Sequence, residues 1–130
     1  MDEKVDAEII NENGVAVVAF KAASISNVEG INTVSDRTKE YIDQNRPNSL
    51  VFDFDGVKFF SSQVLGLLLE VRAKLETYNG KVVISAINPR LHRVFKITNL
   101  DKIFTFFPNK ESAIKAITSE GTTGSAGSPP

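Results

Sequence analysis

Residues 7–11 (AEIIN) and 15–20 (VAVVAF) are two short apolar-rich runs on either side of Glu12-Asn13-Gly14. Gly14 can accept a positive φ, so the stretch predicts an opening β-hairpin. Over residues 27–44, Val28, Ile31, Val34, Tyr41 and Ile42 recur among Glu, Asp, Arg and Lys. That spacing predicts an amphipathic helix, closed by Asn45-Arg46-Pro47-Asn48. Residues 49–54 (SLVFDF) are apolar on both faces up to Asp53, as a central strand of a covered sheet requires. A second helix is predicted over residues 62–78, with Asn79-Gly80 as its left-handed end. Residues 81–87 (KVVISAI) read as another strand. Asn88 then caps a short helix that has Pro89 in its first position and runs to about Ile97. A short strand is predicted over residues 103–107, and Asn109 opens a last helix, KESAIKAIT.

The resulting order is β-β-α-β-α-β-α-β-α. Alternation after the hairpin predicts an α/β fold, a mixed, mostly parallel sheet packed with about four helices. Residues 119–130 (SEGTTGSAGSPP) are small and polar and can bury little apolar area against the entropy of ordering. One domain over residues 1–118 and a disordered tail over 119–130 are therefore expected.

Composition narrows the chemistry. With 15 basic and 16 acidic residues, the net charge is −1, and no basic run marks a nucleic-acid footprint. Without cysteine there is no disulfide or thiol chemistry, and a cytoplasmic setting is expected. A single histidine, His92, argues against a histidine-rich metal site. The acidic start MDEKVDAEII does not read as a secretory signal, and no apolar run is long enough to span a bilayer. No cofactor or metal is expected.

"DFDGV", residues 53–57, resembles the first motif of the haloacid-dehalogenase phosphatases, in which the first Asp takes up a phosphoryl group. That chemistry needs further carboxylates to hold Mg²⁺. After Asp55 the acidic residues Glu70, Glu76, Asp101, Glu111 and Glu120 are isolated, and β-β-α precedes a motif that should open the fold. Asp53 and Asp55 read better as a strand end followed by a turn at Gly56. His92 lies near Arg90 and Arg93 without a nucleophile or carboxylate at motif spacing, so no catalytic triad is indicated. Phe59, Phe60, Phe95, Phe104, Phe106 and Phe107 read as core and sheet-face packing.

Further along, "DFDGVKFFSSQVLGLLLEVR" and "INPRLHRVFKITNLDKIFTFFPNKESAIKAI" together resemble the STAS domain of the bacterial anti-sigma factor antagonists. The similarity covers about residues 7–118. It implies a non-enzymatic regulatory module that binds an anti-sigma factor or serine switch kinase and is controlled by serine phosphorylation. The family's phosphorylatable serine falls on Ser62, and the Asp normally before it is Ser61. Gln63 and Val64 replace the usual Ser-Gly, while Leu65 and Gly66 keep the pattern. This looks like a divergent branch in which either Ser62 or Ser61 could be the acceptor. The partner-binding set implied is Ser61, Ser62, Gln63, Leu65, Gly66 and Leu69, with Ser24 and Ser26. The alternative is a STAS scaffold or small-ligand sensor whose serines serve only as helix caps.

Physical chemistry points to the same place. Ser61 and Ser62 stand at a strand-to-helix turn, where unpaired N–H groups and the helix dipole favour a phosphate. Capping competes for the same hydroxyl, so only one of the two serines is expected to be free. In the following helix Val64, Leu67, Leu68, Val71 and Leu75 share the core stripe. Leu65 and Leu69 flank it, and partial exposure would make them an apolar docking patch beside the serines.

Overall fold

The computed structural model describes residues 6–123. Strands β1 (Ala7–Glu12) and β2 (Val15–Phe20) pair antiparallel, from Ala7 opposite Phe20 to Glu12 opposite Val15. Asn13 (φ 55°) and Gly14 (φ 84°) take the left-handed values that a two-residue hairpin turn demands. Helix α1 (Val28–Asn45) starts at Asn27, whose side chain accepts from the Gly30 N–H at 2.7 Å. It ends at Arg46, held in the left-handed region at φ 43°. Strand β4 (Ser49–Asp53), helix α2 (Ser62–Glu76) and strand β6 (Lys81–Ser85) follow. Helix α3 (Pro89–Ile97) is capped by Asn88, which accepts from the Leu91 N–H at 2.9 Å. Strand β7 (Thr105–Phe107) and helix α4 (Lys110–Thr123) close the described chain.

The five-stranded sheet runs β1-β2-β4-β6-β7, parallel except for the opening hairpin. The pleat sorts its side chains to two faces. Val18, Phe20, Leu50, Phe52, Val82 and Ile84 pack with the buried residues of α1, α2 and α3, among them Leu68, Val71 and Phe95. Val15, Val17, Ala19, Val51 and Val83 face the other way, onto Ala113 and Ile114 of α4. Burying a side chain as large as Phe52 contributes about 1.5–3 kcal/mol. A chain of rings continues this core: Phe20–Phe54 at 5.0 Å, Phe54–Phe60 at 5.7 Å and Phe60–Phe95 at 6.0 Å between centroids. Phe60 is the residue before the serine pair, so the turn is pinned from below.

The structure departs from the predicted order in four places. Two short strands, β3 (Ser24–Ile25) and β5 (Phe59–Phe60), form a separate parallel pair. Residues 100–102 form a 3₁₀ turn and leave only Thr105–Phe107 as strand. The strand predicted over 81–87 ends at Ser85, because Ala86 takes φ 57° and leaves the extended region. The last helix continues to Thr123, so residues 119–123 are helical rather than part of a tail. Thr118 returns its hydroxyl to the Ile114 carbonyl at 2.9 Å, and no proline interrupts the helix there. The remaining tail residues, 124–130, lie outside the described residues.

Candidate functional site

The serine turn is built from the end of β4. Phe54 donates its N–H to the Ser85 carbonyl at 3.0 Å, and Val57 donates back to the Phe54 carbonyl at 3.0 Å. Between them Asp55 and Gly56 make the turn, with Gly56 at φ 85°, a value that favours glycine. The chain then runs alongside the segment that links β2 to α1. Lys58 and Phe59 donate to the Ala23 carbonyl at 2.8 and 3.2 Å, and Ser61 donates to the Ile25 carbonyl at 2.9 Å. The register sets Ser24 beside Phe59 and Ile25 beside Phe60. Ser24, Ser26, Ser61 and Ser62 are thereby brought to one edge of the molecule, although the first two precede α1.

The two serines face different surroundings. Ser61 occupies the N-cap position in an extended conformation (φ −83°, ψ 163°), but its side chain caps nothing. Its Oγ is buried and has no hydrogen-bond partner among the described residues, while its backbone carbonyl accepts the Val64 N–H at 3.0 Å. Ser62 is the first residue of α2 and is exposed, with its hydroxyl unpaired among the described residues. No acidic side chain stands in the first turn of α2. The expected competition between capping and modification does not arise, since neither hydroxyl caps. Burial, not capping, sets Ser61 apart.

Gln63 and Gly66 are exposed on α2. With Leu67 and Glu70 they face Ile31, Asn32 and Ser35 of α1 across a shallow groove of about 250 Å³. A side chain at Gly66 would meet nothing within 4 Å. Glycine in a helix interior costs about 1 kcal/mol relative to alanine, and nothing among the described residues requires it there.

The partial exposure that would make Leu65 and Leu69 an apolar patch is absent at Leu65. Leu65 is only 8% exposed and belongs to the core; Leu69 is half-buried and packs against that core. The core stripe on α2 is wide enough to take in the Leu65 flank. Apolar exposure lies elsewhere. Phe59, expected in the core, is 52% exposed, and Val28 at the start of α1 is 48% exposed. Alternation along the extended Phe59-Phe60 pair puts one ring in and one out.

Asp53 is engaged structurally: the buried Ser85 hydroxyl donates to its Oδ1 at 3.0 Å. Asp55 is exposed in the turn. His92 is half-buried in α3, with its ring 4.3 Å from that of Phe106. Among the described residues no group of three or more His, Asp or Glu is placed to hold a metal ion. Nor is any helix among them long and apolar enough to cross a membrane.

Comparison with known proteins agrees with this geometry. The STAS domain family model matches residues 7–113. An anti-sigma factor antagonist from Mycobacterium paratuberculosis is 25% identical, with a TM-score of 0.75 over 88% of this chain and 95% of that one. The phosphorylated form of the Bacillus cell fate determinant SpoIIAA shares the fold at 19% identity and a TM-score of 0.68, covering 87% of this chain and 98% of its own. The murine Solute Carrier 26 family member A9 anion transporter contains the same fold at 11% identity and a TM-score of 0.65, over 89% of this chain and 22% of the transporter. Fold, element order and motif placement converge: this chain belongs to the STAS domain family.

Proposed function

We propose that this chain is an anti-sigma factor antagonist-like module that binds a protein partner, an anti-sigma factor or serine switch kinase, and is released by phosphorylation of Ser62. The observation that carries this reading is the contrast at the head of α2. Ser62 is exposed and unpaired, whereas the Ser61 hydroxyl is buried. A kinase can reach only the first without opening the turn.

A phosphate on Ser62 adds about −1.5 to −2 charges at neutral pH. The N-terminus of α2 tolerates that charge locally, through the helix dipole and unpaired N–H groups. A partner surface closing over it would have to bury the charge, at a cost of several kcal/mol unless it is paired. The contact surface proposed is Ser62, Gln63 and Gly66 on α2, the facing groove on α1, and Ser24, Ser26 and the exposed Phe59 ring. Leu69 contributes at its edge. The module is a kinase substrate and has no catalysis of its own.

The test is a dissociation constant. The anti-sigma factor kinase encoded in the same cell is titrated with the wild type, Ser62→Ala and Ser62→Asp. Ser62→Ala should bind like the wild type, and Ser62→Asp at least about tenfold more weakly. Equal affinity for all three would remove Ser62 from the interface.

A further inference from the structure

We propose a second site, which does not rest on the serine reading: a basic cleft that binds a small phosphate-bearing anion. Lys58, Asn88, Pro89, Arg90 and Arg93 line a cleft of about 490 Å³ between the β5 turn and the start of α3. Three of these five residues are cations and none is acidic, in a chain whose net charge is −1. Some cations elsewhere are matched, while Arg37, Lys96, Lys102 and Lys115 have no ion-pair partner among the described residues. Lys21, Lys39, Arg72, Lys74 and Lys110 each lie within 3.6 Å of a carboxylate. The side chains of Lys58, Arg90 and Arg93 have no ion-pair or hydrogen-bond partner among the described residues.

The cleft is held in place by its neutral member. Asn88 donates from Nδ2 to the Val57 carbonyl at 3.0 Å and accepts the Leu91 N–H at 2.9 Å on Oδ1. One side chain thus fixes the start of α3 against the turn that carries Lys58. Arg90 and Arg93, three residues apart on α3, share a helix face. Like charges gathered this way repel one another and add nothing to folding. An anion removes the repulsion.

The chemistry selects among anions. Guanidinium forks pair with phosphate oxygens two at a time, and lysine adds a point charge. Three cations suit a ligand carrying two or three negative charges better than a single carboxylate. The cleft volume lies in the range of small-molecule sites, with room for an organic portion against Pro89. The class assigned is an organic phosphate or diphosphate.

The probe is inorganic pyrophosphate, titrated into the full chain at low ionic strength and followed by amide chemical shifts. Saturable changes should centre on residues 57–58 and 88–93, and affinity should fall as salt is raised. Arg90→Gln with Arg93→Gln, both exposed positions, should weaken binding by at least about tenfold. Lys96→Gln with Lys102→Gln removes the same charge from exposed positions outside the cleft and should leave affinity within about twofold. No saturable shifts, shifts centred elsewhere, or equal losses in the two double variants would overturn the site. Citrate binding as tightly as pyrophosphate would overturn the phosphate assignment. Because the wild-type shift map needs no variant, the test holds even if a substitution impairs folding.

Discussion

The Ser61 N–H donates to the Ile25 carbonyl at 2.9 Å, joining the head of α2 to a segment that lies before α1. That bond closes the short β3–β5 pair and sets the rotation of the chain as it enters the helix. Ser61 is turned inward and Ser62 outward as a result. The different burial of two adjacent, chemically identical residues follows from backbone pairing.

Removing the Ser61 hydroxyl should therefore stabilise the protein. A buried hydroxyl without a hydrogen bond costs about 1–3 kcal/mol, and its loss leaves no partner stranded. A true N-cap serine would behave in the opposite way, losing about 1 kcal/mol on conversion to alanine. Urea unfolding of Ser61→Ala should show a raised midpoint at unchanged slope. A lowered midpoint would mean that the side chain caps the helix after all.

Ser62→Asp should leave folding intact. A negative charge in the first turn of a helix is favourable by about 0.3–1 kcal/mol, and no acidic neighbour opposes it there. The thermal midpoint should be unchanged or slightly raised. This result would let the binding experiment on the same variant be read as an interface effect. A clear drop in midpoint would show that the charge disturbs the turn itself.

Two glycines should respond with opposite signs. At Gly66 a methyl group meets open space, so Gly66→Ala should stabilise the helix by about 1 kcal/mol. At Gly80 the added carbon would lie 3.0 Å from the Leu75 side chain, so Gly80→Ala should destabilise by about 1–3 kcal/mol. If the stabilised Gly66→Ala protein also binds its partner more weakly, close approach to the α2 backbone explains the glycine. Unchanged affinity would leave Gly66 outside the contact.

Alkaline pH should loosen the fold through two groups. The Lys110 ammonium is held above its ordinary value by its hydrogen bond to Glu12 at 2.8 Å. Burial raises the Tyr78 phenol, which donates to the Pro47 carbonyl at 2.8 Å. In both cases the unfolded chain gives up its proton first, so the stabilisation is whole below the unfolded values near pH 10 and declines above them. Denaturation midpoints should be flat with respect to these groups through neutral pH and fall beyond about pH 10. Tyr78→Phe should flatten that decline in part; an identical decline would exclude the phenol as a contributor.

The long elements were legible from the chain because each carries its own period. The Asn88 cap, the Asn13-Gly14 hairpin and the α2 core stripe all stand where the residues indicate. The β3–β5 pair was not legible, since two residues per strand establish no alternation and the pairing is purely tertiary. The burial of Leu65 and of the Ser61 hydroxyl depends on what packs over them, so local pattern could place neither. Lys58 and Arg90 are separated by α2 and β6, and tertiary contacts such as the Asn88 bond to Val57 bring their cleft together.

The most direct test of the proposed switch is the intact mass of the protein purified from its native cells, during growth and under stress, with the modified residue mapped by fragmentation. A single phosphate on Ser62, with occupancy that changes between conditions, is the expected result. Phosphate on Ser61, or none under any condition, would contradict a switch built on the exposed serine.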